Sequence, residues 1–390
     1  MTPSRVRPRG PARVLLVDSS GYEDLGGAST VLNEVITRVD RARYIPVLSC
    51  LSPGRWPELV RAAGTAAYSF PRTRLRSVRN MASIVLGLRR VIRSEEIDLV
   101  HASENSALLY ATVAARLTKT PVIWHIHSPY SARSRDERAV AWVLRRMRPA
   151  HVVFTSPGAQ QRSPALAGIP STVVFPGVDL ERCRAGDGER GRRAFDLPQD
   201  ALVLSMYARI EPMKGQVDFV QSLARLAPER PNLYAVMCGP ADRSAAYWRR
   251  LIDLVERHDL AKRLVIPGDV RPPLKDDLVA GSDVVVHPSH AESFGLAVLE
   301  AMAAGRAVVA GATDGPRLLI EDDVDGVLVP PGDVDALTTA VSRLLDDPAL
   351  RATLGSRACK SSDRYGADDM VRHMQDVWDI VRERQRRLRR

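Results

Sequence analysis

Twice along this chain, short runs of β-branched and apolar residues alternate with longer stretches of helical periodicity. The first series reads ARVLLVD (12–18), YIPVLSCL (44–51), AAYSF (66–70), DLVHAS (98–103), PVIWHIHS (121–128), HVVFTS (151–156) and STVVFPGVD (171–179). The second reads ALVLSMYA (201–208), LYAVMCG (233–239), LVIPGDV (264–270), DVVVHPS (283–289), AVVAGA (307–312) and GVLVPP (326–331). A strand that is apolar at every position must be covered on both faces. Intervening stretches with a 3.6-residue period, such as SIVLGLRRVI (83–92), supply the cover. Alternation of this kind predicts parallel sheets, hence the α/β class with two doubly wound, Rossmann-like domains.

A length of 390 residues suits two domains. The series break in LERCRAGDGERGRRAFDLPQD (180–200), a polar stretch carrying Gly186, Gly188 and Gly191. The expected division is an N-terminal domain over 1–180, with 1–11 a loose tail, a linker over 181–200 and a C-terminal domain over 201–367. Residues 368–390 read as one helix, with Val371, Met374, Val377, Trp378 and Val381 as its apolar stripe and a basic end, RERQRRLRR. Open α/β sheets bind ligands at the carboxyl ends of their strands, so two facing domains would frame a central cleft.

The net charge of +10 is spread along the chain, aromatic residues are only 5%, and no zinc-finger spacing occurs, which argues against nucleic acid as a partner. A cleft that collects phosphorylated substrates fits the charge better. No apolar run reaches the roughly 18 residues of a membrane span, and the N-terminal apolar stretch is too short for a signal peptide. The four cysteines are scattered, which suits free thiols in a reducing cytoplasm. The basic, amphipathic segment 71–93 and the basic C-terminus add peripheral contact with the inner face of the membrane as a secondary reading.

ESFGLAVLEAMAAG (292–305) follows a predicted buried strand and carries two acids, Glu292 and Glu300. With Ser293 as the expected N-cap, the helix would offer unpaired N–H groups at its first turn, the natural seat for a phosphate or a sugar hydroxyl. Glu300 lies too far along to cap the helix. An ionised carboxylate only accepts hydrogen bonds, and ribose hydroxyls donate them. MYARIEPMKG (206–215) places Arg209 and Lys214 in another strand-end loop of the same domain. Cations there would stabilise a departing diphosphate more in the transition state than in the ground state.

ARIEPMKG, HPSHAESFGLAVLEAMAAGRAVVA (287–310) and DGVLVPPGD (325–333) together resemble the family-4 retaining glycosyltransferases of the GT-B fold. LGGAST (25–30), IDLVHAS (97–103) and FPGVD (175–179) resemble its N-terminal landmarks. The resemblance implies that Arg209 and Lys214 bind the donor diphosphate and that Glu300 holds the ribose. It also implies that Glu292 contacts the donor sugar together with backbone N–H groups at Phe294, Gly295 and Leu296. Gly26 and Gly27 would bring backbone amides to the phosphates, and the last helix would cross back to the first domain. His127 matches the family's active-site histidine; His125 shares its strand face, so alternation alone does not separate the two.

By the same resemblance the reaction moves a sugar from a nucleoside diphosphate sugar to a hydroxyl of a small-molecule, glycan or lipid-linked acceptor, with retention and without cofactor or metal. The two D-x-D triplets, Asp323–Asp325 and Asp333–Asp335, are read as chance occurrences. A nucleotide-sugar epimerase on the same scaffold and an inactive sugar-nucleotide binding module are the rival readings. DGPRLLI (314–320) departs from the family by placing Arg317 and Leu318 near an expected acid, which leaves the donor sugar undetermined.

Overall fold

The computed structural model describes residues 10–20, 26–70, 78–103, 105–127 and 146–389. Residues 1–9 of the expected tail and 71–77 of the basic segment lie outside them. The chain divides into two compact units, Met1–Phe175 with Asp368–Arg390, and Pro176–Ala367.

The first unit is built on β1 (Ala12–Asp18), β2 (Tyr44–Cys50), β3 (Ala67–Ser69), β4 (Leu99–Ser103), β5 (Val122–Ile126), β6 (His151–Phe154) and β7 (Ser171–Val173). They form one sheet in the order β3-β2-β1-β4-β5-β6-β7, every pairing parallel. Its helices are α1 (Gly27–Arg38), α2 (Trp56–Ala62), α3 (Val78–Ser94), α4 (Asn105–Thr118) and α5 (Pro157–Gln161). Each β4 and β5 side chain is buried, as both-face cover requires. Trp124 in that core keeps its indole N–H satisfied on Thr112 Oγ1 at 2.8 Å. The C-terminal helix, Ala367–Arg389, buries the stripe Val371, Met374, Val377, Trp378 and Val381 in this unit. Trp378 stands edge-on to Tyr44 at 5.0 Å between ring centroids, and Gln375 accepts from the Asp40 N–H at 3.1 Å.

The second unit repeats the plan with β8 (Leu202–Tyr207), β9 (Leu233–Cys238), β10 (Leu264–Val265), β11 (Val284–His287), β12 (Ala307–Gly311) and β13 (Val327–Val329). The sheet order is β10-β9-β8-β11-β12-β13, again all parallel. Its helices are α6 (Leu180–Arg184), α7 (Gly188–Ala194), α8 (Gln216–Leu226), α9 (Ala246–Arg257), α10 (Leu274–Ala280), α11 (Leu296–Ala303), α12 (Pro316–Leu319), α13 (Val334–Asp346) and α14 (Pro348–Ser362). In both sheets the strand order reverses beside the first strand, between β1 and β4 and between β8 and β11, the point where α/β sheets open for ligands.

The stretch expected to be a linker, 181–200, is part of this unit. It carries α6 and α7. Arg190 makes a two-pronged bond to Asp277, Nε to Oδ2 at 2.5 Å and Nη2 to Oδ1 at 2.7 Å, and the Asp187 N–H donates to Asp277 Oδ1 at 2.8 Å. Phe195 and Leu197 join an apolar cluster with Val203 and Leu278. Two of the charges that made the segment look solvated pair with α10, Arg190 with Asp277 and Arg182 with Asp276, while Arg184 and Arg192 pair with Asp363 and Asp283. Among the described residues, no helix is long and apolar enough to cross a membrane.

Candidate active site in the second unit

The loop after β8 and the loop after β11 meet at the carboxyl edge of the sheet. Gly215 makes the meeting close. Its backbone is left-handed, φ +76°, and a Cβ there would stand 2.2 Å from the Pro288 carbonyl oxygen. Only glycine fits both demands. Two bonds fasten the loops: the His290 N–H donates to Met213 O at 2.9 Å, and His290 Nε2 lies 2.6 Å from Asp218 Oδ2 on the first turn of α8. Lys214 and Glu292 thereby come together, Nζ to Oε2 at 2.6 Å, both partly buried.

The helix that follows starts later than the sequence suggests. Ser293 is not its N-cap; α11 begins at Leu296, and its N-cap is Gly295, with φ +95° and no side-chain capping bond. The reason is conformational: the left-handed turn at Gly295 bends the chain into the helix, which a serine two residues earlier would not do. The first helical bond runs from the Leu299 N–H to Gly295 O at 3.0 Å. The N–H groups of Leu296, Ala297 and Val298 therefore precede the helical ladder, at its positive end. Phe294 offers only its backbone, since its ring is buried edge-on against Tyr365. Glu292 thus stands before the helix on a bend and Glu300 one turn inside it. The Glu292 carbonyl accepts from the Gly315 N–H at 2.9 Å, so the 313–316 loop braces the bend.

Glu300 is buried and held by two cations on one oxygen. Oε1 accepts from Lys275 Nζ at 2.5 Å and from Arg182 Nη2 at 3.0 Å. Burial pushes its pKa up, but the charges and hydrogen bonds of Lys275 and Arg182 outweigh that and hold it below the ordinary carboxylate value. Lys275 also lies 5.0 Å from the ring centroid of Tyr207, at the end of β8. Asp276 stands beside Arg182 at 3.4 Å, and burial raises its pKa. Among the described residues, Glu300 Oε2 and Glu292 Oε1 have no partner. Both acids therefore show one pattern: one oxygen bound to cations, the other unengaged. Arg209 stands apart, its largely exposed guanidinium paired with Glu211 at 3.1 Å, while its carbonyl accepts from Gln216 Nε2 at 2.7 Å.

The remaining expected residues belong to the first unit. Gly26 caps α1 without a side-chain bond and Gly27 opens it, exposed, with Thr30 N–H donating to Gly26 O at 2.9 Å. His127 follows β5, its Nε2 2.8 Å from Ser103 Oγ. His125, inside β5, is buried.

Comparison with known proteins agrees with this architecture. A family model described as "Glycosyltransferase Family 4" matches residues 25–182, and one described as "Glycosyl transferases group 1" matches residues 187–361. The chain belongs to the family-4 glycosyltransferases. Its two units are the domains of the GT-B fold. A "D-inositol 3-phosphate glycosyltransferase" of Kribbella flavida is 38% identical over 224 residues, 56% of this chain and 51% of the relative. The chain thus spans about half the length of the curated relatives it matches. The crystal structure of Anabaena Alr3699/HepE with UDP and glucose superposes with a TM-score of 0.82 at 23% identity, covering 94% of this chain and 99% of that one. Its UDP-glucose complex gives 0.81 at the same identity and coverage.

Three residues of this glycosyltransferase-family site escaped the sequence reading: Arg182, Lys275 and Asp276. Arg182 fell in the supposed linker, and PLKDDLVAG gives no hint that its charges face inward. The D-x-D triplets have structural work. Asp325 accepts from the Glu321 N–H at 2.8 Å, Asp333 caps α13 through the Ala336 N–H at 2.9 Å, and Asp323 and Asp335 pair with Arg343 and Arg225. Arg317 bonds the Ala312 carbonyl through Nε at 2.7 Å.

Proposed function

We infer that this chain transfers a hexosyl group from a nucleoside diphosphate sugar to an acceptor hydroxyl, with retention at the anomeric carbon and no metal requirement. One observation carries the reading. Lys214, Glu292 and the open N-terminus of α11 stand by the loop junction at Gly215 and Pro288, and Glu300 lies one turn inside that helix, each acid with one oxygen engaged. A diphosphate suits the helix N-terminus and Lys214. A ribose diol suits Glu300 Oε2, and sugar hydroxyls suit Glu292 Oε1. The neighbouring structures with UDP, glucose and UDP-glucose support a uridine donor carrying a hexose.

In the step proposed, the bond from the anomeric carbon to the phosphate oxygen breaks, and the acceptor oxygen bonds the same carbon from the same face. The acceptor proton passes to the departing diphosphate. Charge grows on that diphosphate as the bond opens, and Lys214 offsets it, joined by Arg209 once its guanidinium leaves Glu211, most effectively where water is excluded. The first unit takes the acceptor, with His127 as the active-site histidine, and Gly26 and Gly27 offer backbone amides to the donor phosphates. Reaction in the cytoplasm, where nucleotide sugars are the available donors, is part of the reading.

The test pairs UDP-glucose and other nucleoside diphosphate hexoses with a polyol phosphate panel that begins with inositol 3-phosphate, the acceptor named for the relatives. Expected are acceptor-dependent UDP release, a product with the donor's anomeric configuration, and rates unchanged by EDTA. Epimerised sugar from donor alone would replace transfer by the epimerase reading. Donor binding without turnover on any acceptor would leave a binding module. Activity lost to EDTA and restored by a divalent ion would overturn metal independence.

A further inference from the structure

The first unit's sheet carries a block of polar side chains where its strands are otherwise apolar. His101 and Ser103 share one face of β4, and His125 lies on β5 with His127 two residues on; register pairs Ser103 with His125. The contacts run diagonally, as long side chains on neighbouring strands allow. His101 Nε2 is 3.2 Å from His125 Nδ1, and Ser103 Oγ is 2.8 Å from His127 Nε2. The C-terminal helix adds Trp378, whose Nε1 lies 3.1 Å from His101 Nδ1. The His125 and His127 rings stack, 4.0 Å between centroids and tilted by 33°.

The direction of these bonds follows from one fact: an indole N–H only donates. His101 Nδ1 must therefore be bare, and neutral His101 carries its proton on Nε2. That proton faces His125 Nδ1, which must also be bare, so His125 carries its proton on Nε2. A second proton on either ring would set one N–H against another. Burial acts in the same sense, lowering His101 to about 3 and His125 well below the ordinary histidine value. The relay ends at His125 Nε2, a buried nitrogen without a hydrogen-bond partner among the described residues. His127 differs, because the hydroxyl of Ser103 can donate or accept.

We propose that Trp378, His101 and His125 form a one-way hydrogen-bond relay that fixes His125 as the neutral Nε2–H tautomer and makes it the positioning residue for His127. The C-terminal helix thereby sets the ring against which His127 stacks. A flipped or charged His125 would move that stack or place a cation 4.0 Å from it. The consequence for turnover rests on the transferase reading above; the relay itself does not.

The experiment labels the eight histidines of the full chain with 15N and records long-range proton–nitrogen spectra at neutral pH. The wild-type chain is expected to show His101 and His125 each as a single, uncharged Nε2–H tautomer. Trp378→Phe, which keeps the ring and removes the N–H, is expected to mix the tautomers of both. It should also lower kcat by roughly ten-fold or more with little change in donor KM, as small misplacements near reacting groups do. A wild-type His125 protonated on Nδ1, or a Trp378→Phe variant that keeps single tautomers, overturns the relay. Mixed tautomers with wild-type kcat overturn the positioning role. If Trp378→Phe does not fold, the wild-type spectrum alone decides the relay. Fixed tautomers in a chain that transfers no sugar would remove the transferase reading and leave the relay standing.

Discussion

Lys275→Met is the substitution whose outcome the structure constrains most tightly. Lys275 is 6% exposed and Glu300 10%, and their charges meet at 2.5 Å. Methionine keeps the aliphatic stem and removes the ammonium, so packing changes little. Breaking a buried ion pair by removing one partner costs about 3–5 kcal/mol, because the other charge stays buried. Arg182 still reaches the same oxygen at 3.0 Å but is one-third exposed, so it offsets part of the loss. The cost should therefore fall near the lower end, about 3 kcal/mol. For a unit of this size that corresponds to roughly 6–12 °C in Tm.

A double-mutant cycle with Glu300→Gln isolates the pair. Denaturant unfolding of the wild-type chain, each single variant and the double variant should give a coupling of about 1–3 kcal/mol. Acidification gives an independent check with a fixed sign. The folded pKa of Glu300 is depressed, so its contribution is present above the unfolded value of about 4.3 and is lost as pH falls through the lower folded value. Without Lys275, burial is opposed by one cation fewer and the folded pKa moves up. The gap between wild type and variant should thus be widest near neutrality and close on acidification. Costs that add within about 0.5 kcal/mol would refute the reasoning, as would a gap that stays constant from neutral pH to well below the unfolded value of about 4.3.

Lys214→Ala should lower kcat by about 10²–10³-fold if the ammonium stabilises the departing diphosphate; a wild-type rate would remove that role. Glu300→Gln, assayed below its melting temperature, should raise donor KM more than it lowers kcat, because ribose contacts persist from ground state to transition state. Isothermal titration with UDP reads the same loss without turnover, and unchanged affinity would take Glu300 out of the ribose site. Gly215→Ala should destabilise by about 2 kcal/mol or more, since φ is +76° and the new methyl meets the Pro288 carbonyl. A wild-type Tm for that variant would mean the two loops are not held together as described.

The fold was legible because its signal is local. Each of the apolar runs named from the sequence contains one strand, since a strand covered on both faces has to be apolar throughout. The segment from His287 to Glu300 was legible in part for the same reason: it runs from a buried strand, through a bend, into a helix, and its spacing alone brings Glu292 close to the helix mouth. The helix start was not, because serine's capping preference lost to the left-handed turn that glycine supplies two residues on. Charged positions were the least legible. Periodicity sends Lys275, Asp276 and Asp277 to solvent, yet all three are buried, because their counter-charges come from α6, α7 and α11.

That failure bears on how such a site works. A carboxylate that accepts hydroxyls must be ionised, and a buried one is ionised only beside cations. Local spacing can place a carboxylate on a helix, but it cannot supply the cations that keep a buried one, Glu300, charged. Glu292 draws its cation from 78 residues away, and Glu300 draws its two from 25 and 118 residues away. The acids that a motif displays are therefore only half of each ion-paired group. The other half is set by tertiary packing, and in each case it engages one oxygen and leaves the other without a partner among the described residues. A chain that kept the two glutamates but lost Lys275 would still match the motif, while Glu300 lost the larger of the two charge interactions that hold its pKa down.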